Sequence, residues 1–257
     1  MVTRRSVLKA GFGMCGCAPW CAFNYDLAGL ARADAPVHIP GRGYDLHFIG
    51  AQRETVMHGK LAATVDLRSL ANTSHLYAVG PIEQLRGEVT IADGRPALAR
   101  VGPDGTVRVT ESFEAGAPFL VWTEVPAWQA VPIPPAVRSF PDLEAFVPRA
   151  ASSAGLDPQQ PLPFLIRGQH DLIEYHVLNR VGDAPHGMEM HKKIQVVFEL
   201  SQAEAIIVGF YSAPHRGIFT PMDSAMHIHL QTADNSKSGH IQKLELGKEL
   251  SLEFPKG

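Results

Sequence analysis

The chain has 257 residues, of which 45% are hydrophobic and 19% charged, and its formal net charge is −3. This is the composition of a globular protein with chain enough for one large domain or two small ones. It carries no basic run of the kind that tracks a phosphate backbone, so nucleic acid is excluded as an expected partner.

The N-terminus reads as an address rather than as part of the fold. Thr3-Arg4-Arg5-Ser6-Val7-Leu8-Lys9 matches a twin-arginine export signal, and a weakly apolar stretch from Ala10 to Phe23 follows. Ala31-Arg32-Ala33 and Ala33-Asp34-Ala35 are small-x-small cleavage sites, the first preferred because the second would cut before Pro36. Residues 1–35 are therefore assigned to a signal peptide, with the twin-arginine machinery as partner and an exported, periplasmic protein as product. The apolar stretch is too short and too glycine-rich for a stable membrane helix. Cys15, Cys17 and Cys21 all fall inside this segment, so sulfur is no candidate ligand in the exported chain.

The expected domain runs over residues 36–257, and its first part, 36–125, reads as a sheet. Val65 to Leu70 begins a short helix. Glu88-Val89-Thr90-Ile91 and Pro96 to Val101 form two strands joined by an Asp93-Gly94 turn. Val107-Arg108-Val109 and Pro118 to Trp122 continue the sheet. Residues 126–163 form a connector, proline-rich over 126–141, in which Ser139 caps a helix through Phe146 with Pro141 in its first turn. A second short helix ends at Gly155. From residue 164 onward the pattern is of strands at about Phe164–Gly168, Leu172–Leu178, Gln195–Leu200, Ala205–Tyr211, Ala225–Thr232, His240–Leu246 and Leu250–Phe254. The expected fold class is α/β and sheet-dominated. A mixed N-terminal sheet packs on a mainly antiparallel, barrel-like C-terminal half, with few short helices.

Met226-His227-Ile228-His229 followed by Gly239-His240-Ile241 is the most informative pattern in the chain. Strand side chains alternate, so His227 and His229 share one face while Met226, Ile228 and Leu230 share the other. The segment Thr232 to Ser238 is turn-rich, and a reversal near Asp234-Asn235 returns His240 beside His229. Three imidazoles then converge in the open arrangement of a catalytic zinc site, with a coordination position left for water or substrate. Zinc, or another divalent transition metal, is the expected cofactor. His38, His47, His58, His75 and His215 show no ligand spacing and read as surface or satisfied histidines. A cupin-type His-x-His needs a glutamate four or five residues after the second histidine, where this chain has Ala233 and Asp234.

These residues resemble the alpha-acetolactate decarboxylases. The resemblance is carried by Gln84-Leu85-Arg86-Gly87-Glu88 through Asp93-Gly94, by Ala117-Pro118-Phe119, by Ala205 to Tyr211, and by the histidine block from Met226 to Ile241. It spans roughly Leu61 to Phe254. It implies His227, His229 and His240 as zinc ligands, Glu88 as the catalytic carboxylate beside the metal, and decarboxylation of 2-acetolactate to acetoin. A small keto acid is then the substrate, and a homodimer is left open. The resemblance also implies an arginine near the metal, where this chain presents Leu178 or Asn179, with Arg180 one or two positions away and Arg167 as another substitute. It implies a second carboxylate in a C-terminal tail, which is not expected here because the chain stops at Gly257. His176 and His191 are possible replacements for the missing polar groups. Two other readings compete: a different zinc-dependent enzyme on the same scaffold, and an exported module that binds a metal or small ligand without catalysis.

Overall fold

The computed structural model describes residues 35–257, and the arginine pair, the cysteines and the preferred cleavage site lie outside the described residues. Seven strands form the first sheet: β1 (Val37–Gly41), β2 (Tyr44–Ile49), β4 (Leu76–Pro81), β5 (Glu88–Ala92), β6 (Arg95–Val101), β7 (Val107–Thr110) and β9 (Leu120–Glu124). Their order is β1-β2-β9-β4-β5-β6-β7. A small ladder of β3 (Val65–Asp66) with β8 (Gly116–Ala117) lies beside it. Helix α1 (Gln52–His58) follows β2. The helix expected from Val65 is a 3-10 turn over Leu67–Leu70, with the Asp66 carboxylate accepting from the Arg68 backbone N–H.

All pairings of the first sheet are antiparallel. The sheet is thus antiparallel where a mixed one was expected, and short links such as Asp93-Gly94 favour that arrangement. Every residue of β5 is buried, because the sheet is covered on both faces. Val89 and Ile91 pack into a cluster with Leu67, Leu98 and Leu120 on one face. Glu88 and Thr90, two apart, take the other face, toward the second half of the molecule.

That half contains β10 (Trp128–Pro132), α2 (Phe140–Ser153), β11 (Leu162–Leu178), α3 (Met188–Lys193), β12 (Gln195–Tyr211), β13 (Met226–Thr232), β14 (Ser238–Glu245) and β15 (Ser251–Pro255). The sheet order is β10-β15-β11-β12-β13-β14, and an added β11–β14 pairing closes β11 to β14 into a small barrel. The strand pairs expected at 164–178 and 195–211 are each one continuous strand. Their polar middles, Gly168-Gln169-His170 and Ala203-Glu204-Ala205, pair with each other across the hairpin instead of breaking it. Helix α2 likewise runs as one piece. Its capping box between Ser139 and Asp142 is present, and Pro148 does not end it. Burial of Leu143, Val147, Ala150 and Ala151 holds the last turns in place against the loss of one ladder bond.

Two glycines let the barrel close. Gly209 faces Phe164 across the ladder, and a Cβ there would sit 2.3 Å from that ring. A Cβ on Gly239 would meet the Tyr175 ring at 2.6 Å and the His176 carbonyl at 2.7 Å. The close approach of β11 and β14 therefore needs glycine next to His240.

Candidate metal centre

The turn between β13 and β14 does what the spacing predicts. His229 pairs directly with His240 across the ladder. Ligand atoms of His227, His229 and His240 all lie within 4.8 Å of one another. The ring centroids are 4.9 to 5.2 Å apart. His227 and His229 are buried, whereas His240 keeps partial exposure to a cleft.

The hydrogen bonds around the triad orient its lone pairs. His227 Nδ1 lies 2.7 Å from the Phe219 carbonyl oxygen, so it carries the proton and leaves Nε2 bare. His229 Nδ1 lies 3.1 Å from Thr90 Oγ1 on β5, and with its proton there Nε2 is bare as well. Thr90 is held in turn by the Ser238 hydroxyl, which donates to it over 2.8 Å. Both bare Nε2 atoms then face each other at 3.1 Å. Two lone pairs at that distance repel unless a cation lies between them and the third imidazole. Donors fixed through their other ring nitrogen are the usual surroundings of a metal-binding histidine.

Burial keeps these rings neutral, as ligation requires. Desolvation pushes His227 down to about 4 and His229 and His240 well below the ordinary imidazole range, with neighbouring imidazoles adding to the shift on the last two. His176 is pushed down to about 3, and His170, His191 and His215 to about 4, chiefly by burial. In the unfolded chain these groups titrate near 6.5. As pH falls through that value the unfolded state takes up protons that the folded state refuses. Stability is therefore full above about 6.5 and is lost progressively toward 4, each imidazole contributing a slope of at most about 1.4 kcal/mol per pH unit. Glu88, whose carboxyl is raised, opposes this as one group against several. The urea midpoint of metal-free protein should fall steeply between pH 7 and pH 5. A flat midpoint over that range would contradict the buried, neutral histidines.

Glu88 arrives from the other sheet. Its Oε2 is 3.9 Å from His229 Nε2 and its Oε1 is 3.7 Å from His176 Nε2. Burial raises its pKa well above the carboxylate norm, and a hydrogen bond from the Leu178 backbone opposes this only in part. Oε1 has no hydrogen-bond partner among the described residues. Glu88 is thus a buried carboxyl group beside the triad, with its protonated form favoured by burial.

His176 is a further member of the group. It pairs with His240 across β11 and β14, with ring centroids 4.8 Å apart. His176, His240 and His229 therefore form one row across three neighbouring strands. The signal was present in the sequence, but only the β11–β14 pairing places it there. His191 on α3 lines the same cleft. Arg167 does not join the site; it lies at the surface with Glu253, 3.2 Å away. Leu178 lines the cleft, and Asn179 ends the hairpin against Ile194. Arg180 is buried just beyond the end of β11, behind the cleft wall.

The cleft has a volume of about 740 Å³. Its lining includes Glu88, His176, His227 and His240, the apolar Phe119, Phe140 and Met188, and the charged Glu144, Lys192 and Asp223. A cavity of this size suits a small molecule. Among the described residues, no helix is long and apolar enough to cross a membrane.

Residues 51–256 match the family profile of alpha-acetolactate decarboxylase. A Staphylococcus aureus protein of unknown function, described as similar to alpha-acetolactate decarboxylase, shares the fold with a TM-score of 0.62 at 16% identity, over 77% of this chain and 82% of that one. The alpha-acetolactate decarboxylase of Bacillus subtilis strain 168 gives a TM-score of 0.60 at 18% identity, over 79% and 82%. Acetolactate decarboxylase of Bacillus subtilis subspecies spizizenii gives 0.61 at 16% identity, over 80% and 84%. Curated proteins yield no match. With the match covering nearly all of the described residues, this chain belongs to the alpha-acetolactate decarboxylase family.

Proposed function

We propose that the protein is a metal-dependent decarboxylase of 2-acetolactate or a closely related 2-hydroxy-3-keto acid, with zinc held by His227, His229 and His240. The observation that carries this reading is the convergence of three oriented imidazoles beside the buried carboxyl of Glu88 in the lining of a cleft. Loss of carbon dioxide from such an acid leaves an enediolate, and a divalent cation in the triad would supply Lewis-acid stabilisation of its developing charge.

The remaining work falls to the chain. Phe219 and Thr90 orient the ligands. Lys192 gives the acid an attractive charge at the cleft wall. Phe119, whose ring lies 6.3 Å from that of His227, restricts water around the reacting carbon. Glu88, whose protonated form burial favours, delivers a proton from one side to that carbon. One-sided delivery implies a single enantiomer of the product. The test is release of carbon dioxide and acetoin from racemic acetolactate by zinc-loaded protein, abolished by chelation and restored by zinc. No release from fully loaded protein would favour the module that binds without catalysis.

Export is proposed on the Arg4-Arg5 motif and the Ala31-Arg32-Ala33 site. Changing both arginines to lysine should retain the protein in the cytoplasm at its full length. Unchanged export of that variant would count against the twin-arginine route.

A further inference from the structure

Next to the cleft, the segment from Arg180 to His191 gathers buried polar atoms that have no partner among the described residues. Arg180 is only 7% exposed. Its Nη2 donates to the Ala184 carbonyl over 2.8 Å, but Nη1 is buried without a partner among the described residues. Both ring nitrogens of His186 and Nδ1 of His191 are also buried and unpartnered. Arg180 is tied to the loop through the Ala184 carbonyl, two residues before His186, and His186 in turn meets His191. The guanidinium of Arg180 helps to push the pKa of His186 down, and the rings of His186 and His191 meet edge-on at 5.5 Å. The one acid of the intervening loop, Asp183, is almost fully exposed and turned toward Arg86 at 3.8 Å. Glu189 on α3 is exposed as well.

A buried guanidinium is always charged, and leaving one unpaired is among the costlier arrangements in a protein. Unsatisfied buried donors in such number call for a partner. Arg180 has only donors, and a neutral imidazole offers one N–H. A cation is disfavoured there by Arg180 itself. What complements the group is a small oxyanion, met by Nη1 and by one N–H from each histidine.

We infer that Arg180, His186 and His191 form an oxyanion-binding site under the 181–187 loop, next to the metal-site cleft. The site takes a carboxylate or an inorganic oxyanion. Its bound state pairs the buried guanidinium and ties the loop to α3. His191 also lines the cleft, so the site is continuous with it. The site stands independently of the decarboxylase reading.

The test uses the untagged exported protein in buffer free of phosphate and sulfate. Inorganic phosphate should bind saturably by calorimetry and raise the melting temperature. Arg180→Met should weaken phosphate binding at least tenfold. In phosphate-free buffer it should melt no lower than wild type, because it removes an unpaired buried charge; a residue with a merely structural role would melt lower. His186→Ala, on a partly exposed loop, should weaken binding several-fold with the fold intact. A second probe, 2-hydroxyisobutyrate, identifies the source of the anion. Displacement of phosphate by it assigns the site to the carboxylate of the cleft's own ligand, and simultaneous binding assigns it to a free oxyanion. The proposal is overturned if neither probe binds saturably, or if Arg180→Met binds phosphate as tightly as wild type.

Discussion

Replacing His229 by alanine is expected to abolish tight metal binding. Wild-type protein, loaded with zinc and dialysed, should retain about one equivalent per chain, as a three-histidine site does. His229→Ala should retain less than about a tenth of that, because two remaining imidazoles make a weak site. The choice of His229 follows from its position. It adjoins both His227 and His240, is fully buried, and is oriented by Thr90 from the opposite sheet. Zinc should also stabilise wild type by about 4 kcal/mol at a thousandfold excess over its dissociation constant. The variant should show no such gain. A far-ultraviolet spectrum like that of wild type checks that the variant has folded. Equal zinc in the two folded proteins would sink the ligand assignment.

The second large effect is expected at Glu88. Glu88→Gln keeps the shape of the side chain and an acceptor for the Leu178 backbone N–H, but removes the proton that the carboxyl can give. Zinc content should stay near that of wild type. Turnover should fall by roughly 10²–10⁴-fold, the usual contribution of a positioned acid or base. Loss of metal instead would make Glu88 a fourth ligand and the site a closed one. Retention of both metal and full turnover would leave Glu88 as a buried carboxyl without a catalytic part. The buried carboxyl adjoins His176 at 3.7 Å and His229 at 3.9 Å, so the variant should be read together with its melting temperature.

The parts of this site that were legible in the sequence share one property: they depend on local periodicity. His227 and His229 share a strand face because strands alternate. His240 returns beside them because the turn at 232–238 is short. Glu88 was reached through resemblance, since nothing local links β5 to β13. The members that were not legible depend on pairings distant in the chain. His176 joins the row only because β14 pairs with β11, sixty-odd residues earlier, through the opening at Gly239. Thr90 and Ser238 read as ordinary strand residues until their hydroxyls meet beneath His229. The Phe219 carbonyl has no side-chain signature at all.

Arg180 shows a different limit. It stands one or two positions from where the resemblance implies an arginine, but β11 ends at Leu178 and strand alternation has no hold on a residue beyond the ladder. The two long strands teach the same lesson from the other side. Polar residues in the middle of β11 and β12 read as breaks, yet they lie opposite each other and keep the ladder intact, with Gln169 and Glu204 exposed and His170 buried. Their alternation is a property of the pair, which a single stretch of sequence does not display.

The triad is proposed as an open metal centre with Glu88 beside it and not in it. Anomalous diffraction at the zinc edge from crystals of the zinc-loaded protein tests it most directly. The expected result is one strong peak about 2.0–2.1 Å from a ring nitrogen of each of His227, His229 and His240, with no bond to Glu88 and a solvent or substrate oxygen completing the shell. A peak elsewhere in the molecule, or one at the triad with Glu88 bound as fourth protein ligand, would contradict the account.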